Sequence, residues 1–133
     1  MPDQAIEYHK LFVGFEFPPQ SYKLDGSLVA EYLKATRETD ELFQKEPLIP
    51  PMAVAAFAMN ALSQAVVMPP GTIHVSQELD FLKTVNIGDT ITCRSKVSRK
   101  VDRGGLRLMN IDITVTNQSA EVVLTGKVGF ILP

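Results

Sequence analysis

Residues 50–70, PPMAVAAFAMNALSQAVVMPP, set the strongest constraint on what this chain can fold into. Two proline pairs bracket a run whose only polar members are Asn60, Ser63 and Gln64. Alanine, leucine and methionine favour helix, and proline is tolerated at its first turn. A helix that is apolar nearly all round has to be enclosed by protein or by lipid. At about 1.5 Å per residue it would be roughly 25 Å long, whereas a membrane span needs about 20 apolar residues. With no basic flank and no second apolar segment, the reading is a buried central helix that needs a sheet around it.

The totals agree. A chain of 133 residues with 45% hydrophobic and 21% charged residues reads as one domain, residues 1–133, with enough apolar content for a core. Its net charge of −2 gives no electrostatic reason to expect nucleic acid or a membrane as partner. The one cysteine, Cys93, excludes an internal disulfide and a cysteine metal cluster. No metal and no cofactor are expected. The N-terminus is polar and lacks an apolar signal core, which makes the cytoplasm the expected compartment.

Taken in order, Met1–Lys10 reads as a polar lead-in and Leu11–Phe17 as a short strand stopped by Pro18-Pro19. Asp25 can cap a helix in which Leu28, Val29, Tyr32 and Leu33 recur at helical spacing through Ala35. Thr36 to Ile49 is polar and reads as a loop. Four strand-like segments follow the central helix. Thr72–Val85 sets Ile73, Val75, Leu79 and Phe81 against His74, Ser76, Glu78 and Asp80. Thr90–Val101 turns Ile91, Cys93 and Val97 inward, with Thr92, Arg94 and Lys96 outward. Leu106–Thr116 groups Met109, Ile111, Ile113 and Val115. Glu121–Leu132 groups Val122, Leu124, Val128 and Phe130. The turns between them fall at Asn86–Asp89, Asp102–Gly105 and Asn117–Ala120.

One long helix wrapped by one curved antiparallel sheet is an α+β, hot-dog arrangement. A lone sheet of this kind leaves edges and apolar surface uncovered, which points to a dimer. The chain also resembles the MaoC-like acyl dehydratases and (R)-specific enoyl-CoA hydratases, a hot-dog family. The segments that carry the resemblance are Val13-Gly14 with Phe17-Pro18, Tyr32-Leu33-Lys34-Ala35-Thr36, Pro50-Pro51-Met52, Phe81-Leu82 before Ile87-Gly88-Asp89, and Asn117-Gln118. The resemblance implies a ligand, an acyl-CoA or acyl-carrier-protein thioester. It also implies a homodimer or a heterodimer with another hot-dog subunit.

Active members of that family carry Gly-Asp-x-Asn-Pro-x-His after the first helix, because hydration of an enoyl thioester needs a base for water and an acid for the α-carbon. Aligned on Ala35-Thr36, this sequence has Arg37 at the glycine, Glu38 at the aspartate, Asp40 at the asparagine, Glu41 at the proline and Phe43 at the histidine. Phe43 transfers no proton. Such a departure resembles the non-catalytic halves of double and heterodimeric relatives, which shape the acyl pocket while the other half catalyses. Pro50-Pro51-Met52 resembles them too.

Candidate residues each have a plainer reading. Glu38, Asp40 and His74 would be a rearranged acid/base set, or solvated loop acids and a surface or interface histidine. Pro51, Met52 and Asn60 would line the acyl site, or Asn60 would satisfy a local hydrogen bond or face a partner. Arg99 and Lys100, with the other cations of their hairpin, would hold thioester-carrier phosphates, or simply be solvated. Cys93 reads as a small core residue. The expected function is an acyl-thioester-binding partner of a catalytic hot-dog subunit. An active hydratase or dehydratase with a rearranged pair is one alternative, and a hot-dog thioesterase another.

Overall fold

The computed structural model of the chain describes residues 6–36 and 48–133. In chain order it has β1 (Ile6–Glu7), a 3-10 turn (Tyr8–Lys10), β2 (Gln20–Lys23), α1 (Gly26–Thr36), α2 (Pro51–Ala65) and β3 (Val66–Val67). Then come β4 (Ile73–Phe81), β5 (Thr90–Arg103), β6 (Leu106–Thr116) and β7 (Val122–Leu132). The last four join β2 in an antiparallel sheet of order β2-β5-β6-β7-β4.

Turn chemistry produces the meander. Gly104 and Gly105 both hold positive φ, +57° and +83°, which is what a two-residue hairpin between Arg103 and Leu106 demands. Asn117 Oδ1 accepts the Ser119 and Glu121 amides, closing the β6–β7 turn. Gln118 then ties that turn to the one before β5, accepting the Thr90 amide at 3.1 Å and donating to Asp89 Oδ1 at 3.0 Å. Asp25 caps α1 through the Leu28 amide at 3.0 Å, as its position before the apolar stripe predicts.

The core lies between α2 and the inner sheet face. Ala53, Val54, Ala58 and Leu62 pack toward the fully buried Ile91, Val97, Met109, Ile111, Val115 and Leu124. Each large aliphatic side chain so enclosed contributes about 1.5–3 kcal/mol. The small alanines let the helix approach the sheet.

Several expectations are corrected. The lead-in is not free: Ile6–Glu7 pairs in parallel with Val66–Val67, and Tyr8 is buried. The first strand is not Leu11–Phe17. Gly14, at φ +95°, turns the chain, and residues 14–17 touch β5 only through short contacts such as Phe17 N to Ser95 O at 3.0 Å. Pro18 and Pro19 offer no N–H, so regular pairing begins at Gln20.

Three register shifts also redirect side chains, since one extra residue moves everything beyond it to the other face. The shift between His74 and Ser76 places His74 opposite Phe130 on the inner face and Ile73 opposite Ile131 on the outer one. The shift between Val97 and Arg99 places Lys100 opposite Met109, inside, and Arg99 opposite Asn110, outside. The shift beyond Val115 leaves Val122 half-buried and makes Val123 the enclosed residue.

Nor is α2 covered all round. Met52, Ala56, Asn60 and Ser63 form an exposed stripe along it.

Candidate functional site: an apolar cavity at the start of the central helix

Pro50 and Pro51 open α2 beneath the end of β4, where the sheet alternation breaks. Phe81 and Leu82 are consecutive apolar residues, and the chain then bends through Lys83 and Thr84 to the buried Val85. Ile49 donates to the Val85 carbonyl at 2.8 Å, and Leu48 bridges Asn86, so the segment entering α2 is stitched to the segment leaving β4. Between them lies a cavity of about 330 Å³ walled by Ile49, Pro51, Val54, Phe81, Leu82 and Val123. Its volume falls within the usual range for a small-molecule site.

Its one charged wall residue, Lys83, pairs with the Glu121 carboxylate. That ammonium, and after it the Asn117 amide, hold the Glu121 carboxyl below the usual range. Among the described residues the wall therefore offers apolar contact and no free carboxylate or imidazole. The described wall can hold hydrocarbon.

Of the expected site residues that are described, Pro51 alone lines this cavity. Glu38 and Asp40, with Arg37, Glu41 and Phe43, lie outside the described residues. Pro51 lines the cavity. Met52 is 52% exposed beside it in sequence. Asn60, two turns further along α2, donates to the Tyr22 hydroxyl at 3.1 Å, while the Tyr22 ring packs on Phe57. That clips the helix to the edge strand β2.

His74 stands seven residues before Phe81, roughly 23 Å along the strand from the cavity end. Its ring lies 5.2 Å from the Phe130 ring, and its Nε2 is 3.0 Å from the Ser76 carbonyl, to which that nitrogen donates in the matching tautomer. Lys100 is on the same rung of the sheet, two strands beyond Phe130. Its ammonium donates to the Leu11 carbonyl at 2.9 Å and the Tyr8 carbonyl at 3.3 Å. Arg99 stands on the outer face. Burial pushes the Cys93 thiol up to about 12, so it carries no thiolate near neutrality.

Sequence reasoning missed most of the wall. Leu48 and Ile49 fell in a stretch read as a loop, Val54 in the central helix, and Phe81, Leu82 and Val123 in strand-like segments. The available signal was broken alternation, at Phe81-Leu82 and at Val122-Val123.

One helix held against a single antiparallel sheet by an alanine-rich face defines an α+β protein of the hot-dog class. The chain belongs to the family of FAS1-like dehydratase domain regions, whose model matches residues 11–126, and it is MaoC-like. It is similar to the unliganded R-hydratase PhaJ1 from Pseudomonas aeruginosa, with a TM-score of 0.82 at 20% identity over 97% of this chain and 86% of that one. It is similar to a MaoC-like dehydratase from Rhodospirillum rubrum, with a TM-score of 0.76 at 15% identity over 94% of each chain. A chain of the ChsH1-ChsH2 complex from Mycobacterium tuberculosis gives 0.76 at 15% identity, over 92% of this chain and 98% of that one. These likenesses are of fold. No curated protein sequence matches the chain. Among the described residues no helix is long and apolar enough to cross a membrane, and no group of three or more His, Cys, Asp or Glu could hold a metal ion.

Proposed function

We propose that this protein binds the acyl part of a coenzyme A or carrier-protein thioester without catalysing on it, as the partner of a catalytic hot-dog subunit in a hydratase or dehydratase. The observation that carries the reading is the cavity at the start of α2. Its described wall is apolar, and its charged residue is already paired. Phe43, aligned where active relatives of the MaoC-like family have histidine, supports the same reading. Hot-dog subunits do assemble in unlike pairs, as the ChsH1-ChsH2 complex illustrates for that protein.

The experiment offers a short trans-2-enoyl-coenzyme A to the purified chain alone and follows the thioester absorbance, with binding measured in parallel by calorimetry. Binding without turnover is expected. Leu82→Glu, at an exposed position on the cavity wall, should weaken binding at least tenfold and leave the fold intact. Turnover by the chain alone would overturn the reading, and turnover lost on substituting Glu38, Asp40 or His74 would establish the rearranged pair in its place. Release of free thiol would establish a thioesterase instead.

A further inference from the structure

Pairing across β5, β6, β7 and β4 sets the residues of the outer sheet face, the one turned away from α2, in rungs of four. One rung runs Lys96, Asp112, Lys127, Glu78, and the next runs Arg94, Thr114, Thr125, Asp80. Cations therefore stand on β5 and acids on β4, roughly 14 Å apart across three strand spacings. Arg94, Lys96, Lys127, Glu78 and Asp80 are exposed, and no ion pair among the described residues uses any of them. One carboxylate oxygen of Asp112 is enclosed without a hydrogen-bond partner. The face has not satisfied its own charges.

A further rung breaks the polar pattern. Val101, Leu108, Ile131 and Ile73 cross the same face as an unbroken aliphatic row, with Ile73 58% exposed. A sheet face turned to water alone ordinarily carries polar residues there.

Charge decides what fits. A second copy can be laid on this face about a two-fold axis running along the strands, midway between β6 and β7. Such an axis puts β5 over β4 and β6 over β7, each rung on its own copy. Lys96 then meets Glu78, Arg94 meets Asp80, and Asp112 meets Lys127. In the aliphatic row Val101 meets Ile73 and Leu108 meets Ile131. The rung between sets Arg99 over Ser76 and Asn110 over Gly129, with no like charges opposed. An axis running across the strands instead puts β5 over β5, cation against cation, which disfavours that stacking. Aligned sheets pack about 10 Å apart and within about 30° of one another, so the pairs flanking the axis keep their match best.

We infer that two copies of this chain stack back to back through the outer face of the sheet, about the axis along the strands. A face of four strands by four rungs buries on the order of 1,000 Å² in all, the lower end for specific association, so the contact is reversible and weakened by salt. It leaves α2 and the cavity free, and so goes beyond the acyl-binding reading without depending on it.

Lys96 and Glu78 stand three strands apart within one chain, so exchanging their charges tests the contact between chains. In analytical ultracentrifugation the native protein should show a salt-sensitive association step. E78K and K96E, each reversing two symmetry-related pairs, should weaken that step about tenfold or more. The double variant K96E/E78K should recover it. D80R, R94D and their combination make a second, independent cycle, and circular dichroism reports the fold of every variant. Three results overturn the inference: a native chain without such a step, a step that the folded single variants keep at native strength, or folded double variants that associate no more tightly than the singles.

Discussion

The Lys100 ammonium lies 4.2 Å above the centre of the Tyr8 ring, while donating to the Tyr8 carbonyl. It also holds the Leu11 carbonyl, so one side chain fixes the N-terminal segment against the sheet. Charge-assisted hydrogen bonds of this kind contribute about 1.5–3 kcal/mol. Lys100→Met keeps the aliphatic stem and removes the donors. It should cost about 2 kcal/mol in urea unfolding and expose the amides of Tyr8–Leu11 to faster exchange. Unchanged exchange there would show that packing of Tyr8, not the ammonium, holds the segment.

That role was hidden in the sequence for a physical reason. Strict alternation from Val97 sends Arg99 inward and Lys100 out, and only the bulge between Val97 and Arg99 reverses the two. His74 is misread in the same way. Ordinary polar residues carry no signal that an extra residue has been inserted into a strand. The meander itself was legible, because Gly104-Gly105, Asn86–Asp89 and Asn117–Ala120 carry their own turn chemistry. The central helix was legible as a helix, but its exposed stripe was not: Ala56 and Met52 look no different from Ala55 and Ala58. For the site, Pro51 could be read from the sequence, while the rest of the cavity wall depends on how a bend after Phe81 meets the entry to α2.

Gly126 of β7 stands opposite Leu79 of β4. A Cβ built there would lie 2.9 Å from the Glu78 carbonyl oxygen and 2.8 Å from Leu79 Cδ2. Leucine can rotate away, but the carbonyl belongs to the β4–β7 ladder and cannot. Gly126→Ala should therefore destabilise by about 1–3 kcal/mol, the usual cost of overpacking. Trimming Leu79 to alanine in addition should not restore stability. Full rescue by that second change would mean that the side chain alone caused the clash.

Asp25 gives an acid-dependent effect. The Leu28 amide, then the Ser27 hydroxyl, hold its carboxyl below the usual range. A carboxyl lowered on folding stabilises the protein above its unfolded value, and that contribution is lost as pH falls through the folded value. Asp25→Ala should lower the thermal midpoint at neutral pH. The gap to the native protein should close below about pH 4, the ordinary range of an aspartate. A gap that persists in full at low pH would assign the loss to something other than the charged cap.

Cys93 titrates in the opposite sense. Burial raises its thiol from 9.0 to about 12, so the unfolded chain ionises first as pH rises. A group raised on folding contributes fully below its unfolded value, and the contribution falls away as pH climbs toward the folded one. Between pH 9 and 12 the native protein should lose stability that a Cys93→Val variant, similar in size and unable to ionise, retains. The difference should reach about 1 kcal/mol near pH 10, one unit above the unfolded value. The same burial makes the thiol unreactive toward iodoacetamide at pH 8 until the chain opens. Alkylation should therefore follow the rate of unfolding in urea. Rapid labelling of the folded protein would show that the sheet under α2 opens locally, and the alkaline difference between the two proteins would then disappear as well.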